Sequence, residues 1–147
     1  MGEADALAAK APGQGNQTAE GGVSGITFDS GGLIALEKND RRVYGIIDTI
    51  LAEGGRIVVP ATALAQVIRN PATQVRLWRM IQADKTEVVP LDAAHAQAVG
   101  VLLAKTMTSD IADAHVVICA RRAGHAVITS DPFDLRRLDP RLRTITV

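Results

Sequence analysis

Three aspartates in this 147-residue chain each stand where an apolar run ends and a helix is expected to begin. They are Asp29 in Ile26-Thr-Phe-Asp29-Ser-Gly-Gly32, Asp113 in Ser109-Asp-Ile-Ala-Asp113-Ala-His115, and Asp131 in Val127-Ile-Thr-Ser-Asp131-Pro-Phe-Asp134. In parallel α/β sheets the chemistry gathers just beyond the carboxyl ends of the strands. Carboxylates brought there from distant parts of a chain repel one another unless a divalent cation holds them. Oxygen ligands of this kind suit Mg²⁺ or Mn²⁺, with waters and a substrate phosphate completing the shell. Such ions activate water, neutralise phosphate and stabilise a leaving oxygen. Taken singly, each acid also reads as a helix cap: Asp131 precedes Pro132, and Asp110 or Ser109 can cap the helix that holds Asp113. The joint placement favours a metal site. The histidines suggest no zinc alternative, since His95, His115 and His125 fall on different elements with no cysteine at ligand spacing.

The elements that would position these acids follow from hydrophobic patterning. Strands are expected at 25–28, 56–59, 86–89, 126–129 and 143–147. Helical stretches are expected from Ser30 to Glu37, Arg41 to Glu53, Pro60 to Arg69, Pro71 to Ala83, Asp92 to Lys105, Asp110 to Arg122 and Asp131 to Leu138. The run Val116-Val-Ile-Cys119 is β-branched, but its surroundings are too long for a strand and Gly124 can cap a helix. Strands alternating with helices imply an α/β fold with a mostly parallel sheet covered on both faces.

Composition narrows the classes. Sixteen basic and sixteen acidic residues cancel, so no global field draws the chain to nucleic acid or an anionic membrane. No apolar stretch approaches the ~18 residues of a membrane span, and a cytoplasmic domain is expected. Cys119, the single cysteine, lies in an apolar run and reads as a small buried hydrophobe. Residues 1–24 are rich in Ala, Gly and Gln and lack the apolar core of a signal peptide. They are expected to form a disordered N-terminal extension, with the folded domain over 25–147.

Phe28-Asp-Ser-Gly-Gly-Leu-Ile-Ala-Leu-Glu37, Val59-Pro-Ala-Thr-Ala-Leu-Ala65, Asp110-Ile-Ala-Asp-Ala-His115 and Val127-Ile-Thr-Ser-Asp-Pro-Phe-Asp-Leu135 together resemble a PIN domain of the VapC toxin ribonuclease type. The resemblance covers residues 25–147. It implies a three-layer α/β/α sandwich and a Mg²⁺- or Mn²⁺-dependent endoribonuclease acting on RNA. It also implies a homodimer and neutralisation by a cognate antitoxin protein. By motif match Asp29, Asp113 and Asp131 are the acidic ligands. The family usually carries a glutamate in the helix after the second strand, and here Gln66 takes that place, bringing an amide without charge. Glu37 is the candidate to compensate, although Glu37 and Arg41 equally suit an exposed ion pair on a continuous helix. In this reading Gln66 or Glu37 orients the water that attacks the phosphodiester. The alternative is a PIN-like module that binds RNA or protein with weak or absent turnover, which the loss of the fourth carboxylate favours. A third reading, Asp29 as a phosphoryl-accepting nucleophile, lacks a second aspartate two residues on.

Overall fold

A computed structural model describes residues 24–147. The extension expected over residues 1–24 lies outside the described residues except for Ser24. Its carbonyl accepts from the Arg56 N–H at 3.0 Å, and its hydroxyl donates to the Ala123 carbonyl at 3.0 Å.

In chain order the elements are β1 (Gly25–Phe28), α1 (Ser30–Glu37), α2 (Arg41–Ala52), β2 (Arg56–Pro60), α3 (Ala61–Val67), α4 (Val75–Ile81), β3 (Thr86–Val89), α5 (Ala93–Thr106), α6 (Ile111–Ala123), β4 (Ala126–Thr129), α7 (Pro132–Leu138) and β5 (Thr144–Thr146). The five strands form one sheet in the order β3-β2-β1-β4-β5, and every neighbouring pair is parallel. Every residue of β1 and β4 is buried. Side chains alternate across a strand, so both faces of the sheet's centre are covered. This is the α/β/α arrangement of a PIN-like fold.

Local chemistry explains most boundaries. Asp40, Asp92 and Asp110 each accept a backbone N–H from the first turn of the helix that follows. Gly124 ends α6 in the left-handed region at φ 71°, as the sequence suggests. Length rather than β-branching decides Val116–Cys119, which is helical and wholly buried in α6. One boundary differs from expectation by more than two residues. Pro71 lies in a turn rather than in a helix, and α4 starts only at Val75. The Asn70 side chain accepts from Ala72 N at 3.1 Å, while Gln74 donates back to the Val67 carbonyl at 2.9 Å and accepts from Arg69 N at 2.9 Å. These bonds close the loop and compete with helix at Pro71.

The core joins Ile26, Phe28, Leu33, Val59, Leu77, Val117, Ile128 and Leu135. Leu77 and Ile47 belong to it as well, and Ile46 packs against its edge. His125, just before β4, is also buried, with Nδ1 3.1 Å from the Thr27 hydroxyl, and burial pulls its pKa down to about 4.

Gly32 in the first turn of α1 sits against β4. A Cβ there would meet the Ile128 carbonyl oxygen at 2.5 Å and the Phe28 ring at 3.0 Å, whereas one at Gly45 on α2 would meet nothing within 4 Å. Gly32→Ala should therefore destabilise by about 1–3 kcal/mol through overpacking, and Gly45→Ala should stabilise by roughly 0.5–1 kcal/mol through helix propensity. Urea denaturation of both variants checks the contrast; equal effects would contradict the close helix–strand approach.

Candidate metal centre

The register of the central strands builds the site. Phe28 on β1 lies level with Ile128 on β4, and the Asp29 N–H continues the ladder to the Ile128 carbonyl at 3.2 Å. The residues that leave these two strands are thereby neighbours, although about a hundred positions separate them. Asp29 is the N-cap of α1, its Oδ1 accepting from Gly32 N at 2.8 Å. Asp131 is the N-cap of α7, accepting from Phe133 N at 3.2 Å. The fully buried Thr129 hydroxyl lies between the two: it accepts from Asp131 N at 2.9 Å and is near enough to the Asp29 carboxylate to favour its charged form. The capping roles read from sequence are thus real, and the cap geometry is what aims these carboxylates.

Asp113 arrives from the other side, in the first turn of α6, where Asp110 accepts its N–H at 2.9 Å. The α6 helix packs against β1, β2, β4 and α7. Burial pushes the Asp113 carboxyl up to about 6, and the charges of Asp110, Asp29, Asp134 and Asp131 add to the effect. Asp29 is also raised: burial leads, the Thr129 and Gly32 hydrogen bonds oppose it, and the Asp131 charge adds to it. Asp29 is buried, Asp113 half-buried, and Asp131, Asp110 and Asp134 exposed. A cleft of about 280 Å³ opens beside Asp113, lined among others by Ser109, Asp110, Asp134 and Arg137. The donors are all oxygens and crowd one another electrostatically, which fits a hard divalent cation. Their oxygens do not close into a group within 4.8 Å.

The other two candidates lie differently. Gln66 is exposed in the last turn of α3. The Glu37–Arg41 pairing does not form, because α1 ends at Glu37 and Asn39 turns the chain at φ 63°. Instead Glu37 Oε2 accepts from Leu77 N at 2.8 Å. Leu77 is the third residue of α4, whose own N-cap, Gln74, makes no side-chain cap bond. Glu37 therefore caps α4 from forty residues away and is not among the charges acting on Asp29 or Asp113. The close approach at Ser30-Gly-Gly32 is to β4 and Ser130.

Sequence reasoning missed two features. Phe133 is 71% exposed beside Asp131, signalled only by the apolar residue that follows Asp-Pro. The exclusion of His/Cys chemistry is also corrected, because His95 from α5 meets His115 and Cys119 of α6 with ligand atoms within 4.8 Å of one another. The legible signal was the four-residue spacing of His115 and Cys119, which places them on one helix face.

Asp113 supplies a pH test. Its folded carboxyl binds a proton more tightly than the unfolded chain, from a reference of 3.8 up to about 6. The metal-free protein therefore loses stability relative to Asp113→Asn as pH rises from about 4 to 6, and the difference stays constant above. The carboxyl is half exposed, so the gain for the Asn variant at pH 7 should be about 1–2 kcal/mol after solvent screening. His125 acts with the opposite sign, costing stability as pH falls from its unfolded value toward about 4, so the variant-minus-wild-type difference is the quantity to measure. A difference that is flat across pH 4–7 would contradict the crowded site.

No protein-family model matches the chain, and no curated protein matches it in sequence. Solved structures do match. One is a chain of VapBC2 from Rickettsia felis bound to a DNA fragment from their promoter, with TM-score 0.65, 15% identity, and coverage of 82% of this chain and 97% of that one. Another is a chain of FitAB bound to an IR36 DNA fragment, with TM-score 0.55, 19% identity, and coverage of 82% and 94%. A third is a chain of FitAcB from Neisseria gonorrhoeae, with TM-score 0.54, 16% identity, and coverage of 82% and 96%. The chain has a PIN-like fold, shared with chains of these complexes.

Proposed function

We propose that the chain is a Mg²⁺- or Mn²⁺-dependent endoribonuclease, the toxin of a toxin–antitoxin pair, working in the cytoplasm as a homodimer held in check by a cognate antitoxin. The observation that carries this reading is the convergence of Asp29, Asp113 and Asp131 at the carboxyl ends of β1 and β4, with Asp110 and Asp134 beside them. The fold shared with the VapBC2 and FitAB chains supports it. Among the described residues no helix is long and apolar enough to cross a membrane.

Asp29, Asp113 and Asp131 would hold the cation, which when bound neutralises the scissile phosphate and lowers the pKa of water. The rest is the work of this chain's side chains. The Gly32 N–H holds the Asp29 carboxylate, so its oxygens need little reorganisation to ligate. Asp110 holds the first turn of α6 and so the level of Asp113. Arg137 lines the same cleft as Asp113 and offers a guanidinium to a phosphate. Phe133 presents an exposed ring on which an unpaired base can stack. Gln66 is the side chain left to orient a water, as its amide makes no hydrogen bond among the described residues. Glu37 acts indirectly, by docking α4.

The test is cleavage of single-stranded RNA with Mg²⁺ or Mn²⁺. EDTA should abolish it, and Asp29→Asn should slow it by on the order of 10²-fold or more. Cleavage that persists in EDTA or in the Asn variant would overturn the mechanism. Phe133→Ala should raise KM by about 5- to 100-fold with kcat little changed, in line with the loss of one stacked base. One observation favours a second reading: the uncharged, exposed Gln66 where a fourth carboxylate is due. A protein that binds RNA and metal tightly yet cleaves no RNA would be the binding module.

A further inference from the structure

We propose that His95, His115 and Cys119 form a second metal site, selective for a thiophilic divalent cation such as Zn²⁺, which fastens α5 to α6. One ligand atom from each lies within 4.8 Å of the others, and the two imidazoles meet edge to face with centroids 5.3 Å apart. His115 and Cys119 share one face of α6, and His95 comes from the first turn of α5, which packs along it. Zn–N bonds of about 2.0–2.1 Å and Zn–S bonds of about 2.3 Å would require the three atoms to close by roughly 1 Å.

Hydrogen bonding prepares both rings. His95 Nδ1 lies 2.8 Å from Asp92 Oδ1. A carboxylate only accepts, so Nδ1 carries a proton and Nε2 is the nitrogen left to ligate. This carboxylate–histidine pairing is the usual support of a metal-bound imidazole. His115 Nδ1 lies 2.8 Å from the Thr62 hydroxyl, and its ring is fully buried. Its Nε2 has no hydrogen-bond partner among the described residues. The Pro90 carbonyl is near enough to favour a proton on this ring, but burial outweighs it and shifts the pKa downward. A buried, unpartnered nitrogen on a ring grouped with a second imidazole and a thiol is the feature the fold otherwise leaves unexplained.

The surrounding charges are mixed. Arg122 Nη1 stands 3.3 Å from His95 Nε2 and competes for that nitrogen, but its exposed side chain is free to withdraw. Asp92 and Glu87 bear on the cluster with the opposite sign, the first on His115 and the second on Cys119. Burial keeps Cys119 a neutral thiol in the absence of metal, so forming the metal–sulfur bond releases one proton to solvent. Two imidazoles and a thiolate discriminate against Mg²⁺. The two centres would thus be filled by different ions, and this inference stands whether or not the chain cleaves RNA.

The experiment is a Co²⁺ titration of the full chain in excess Mg²⁺, which occupies the carboxylates. A thiolate-to-cobalt charge-transfer band should appear, saturate at one ion per chain and vanish on adding Zn²⁺, and Zn²⁺ should raise the melting temperature. Cys119→Ser should abolish the band. Because that buried change can impair folding, His95→Ala at the rim is the second variant. It should weaken Co²⁺ binding by about tenfold or more with an unchanged circular dichroism spectrum. Asp29→Asn should leave the band intact. A folded wild-type chain without a thiolate band, or a band of unchanged affinity in His95→Ala, would overturn the proposal.

Discussion

The pairing of β1 with β4 is the constraint from which the acidic centre takes its shape. Because the strands are parallel and in register through Phe28 and Ile128, the chain leaves both at one level, and both exits are occupied by aspartate. Each exit is also a helix start, so the cap hydrogen bonds that end the strands aim the carboxylates. Thr129 sits between them, fully buried, accepting from the backbone of Asp131 and favouring the charged form of the Asp29 carboxylate. Asp113 completes the group only because α6 crosses β2, β1 and β4 with its first turn at this end of the sheet. The price of the arrangement is electrostatic: burial and four like charges hold a proton on Asp113 far above its ordinary range. A cation reverses that penalty, which is why crowding and metal affinity are one property here.

Much of this was legible in the sequence because it is local. Aspartate caps, glycine stops and β-branched runs act over a few residues and place nearly every element within one or two positions. The boundary that escaped, Pro71, was decided by the Asn70 and Gln74 side chains bonding to nearby backbone, a competition that hydrophobic period does not register. Glu37 escaped for a different reason. Its partner is a backbone N–H forty residues away, and no spacing rule reports a helix capped from another element. Leu77 and Ile47 come from short amphipathic helices, and the sheet uses both as core.

The histidine–cysteine cluster shows the same division. The four-residue spacing of His115 and Cys119 on one helix was readable, but its third member depends on how α5 packs along α6. The acidic and the nitrogen–sulfur groups draw on the same helix: Asp113 and His115 are two residues apart on α6 and so face nearly opposite ways. One helix thereby presents hard oxygen donors toward the strand ends and soft donors toward α5. The separation follows from helix geometry and requires no additional element.

The central claim, that the three strand-end aspartates form a cation site, is tested most directly by counting bound Mn²⁺ by electron paramagnetic resonance in wild type, Asp113→Asn and Cys119→Ser. The account predicts one tightly held ion per chain in wild type and in Cys119→Ser, with loss of that ion in Asp113→Asn. Retention of Mn²⁺ by the Asn variant, or no tight ion in wild type, would contradict it.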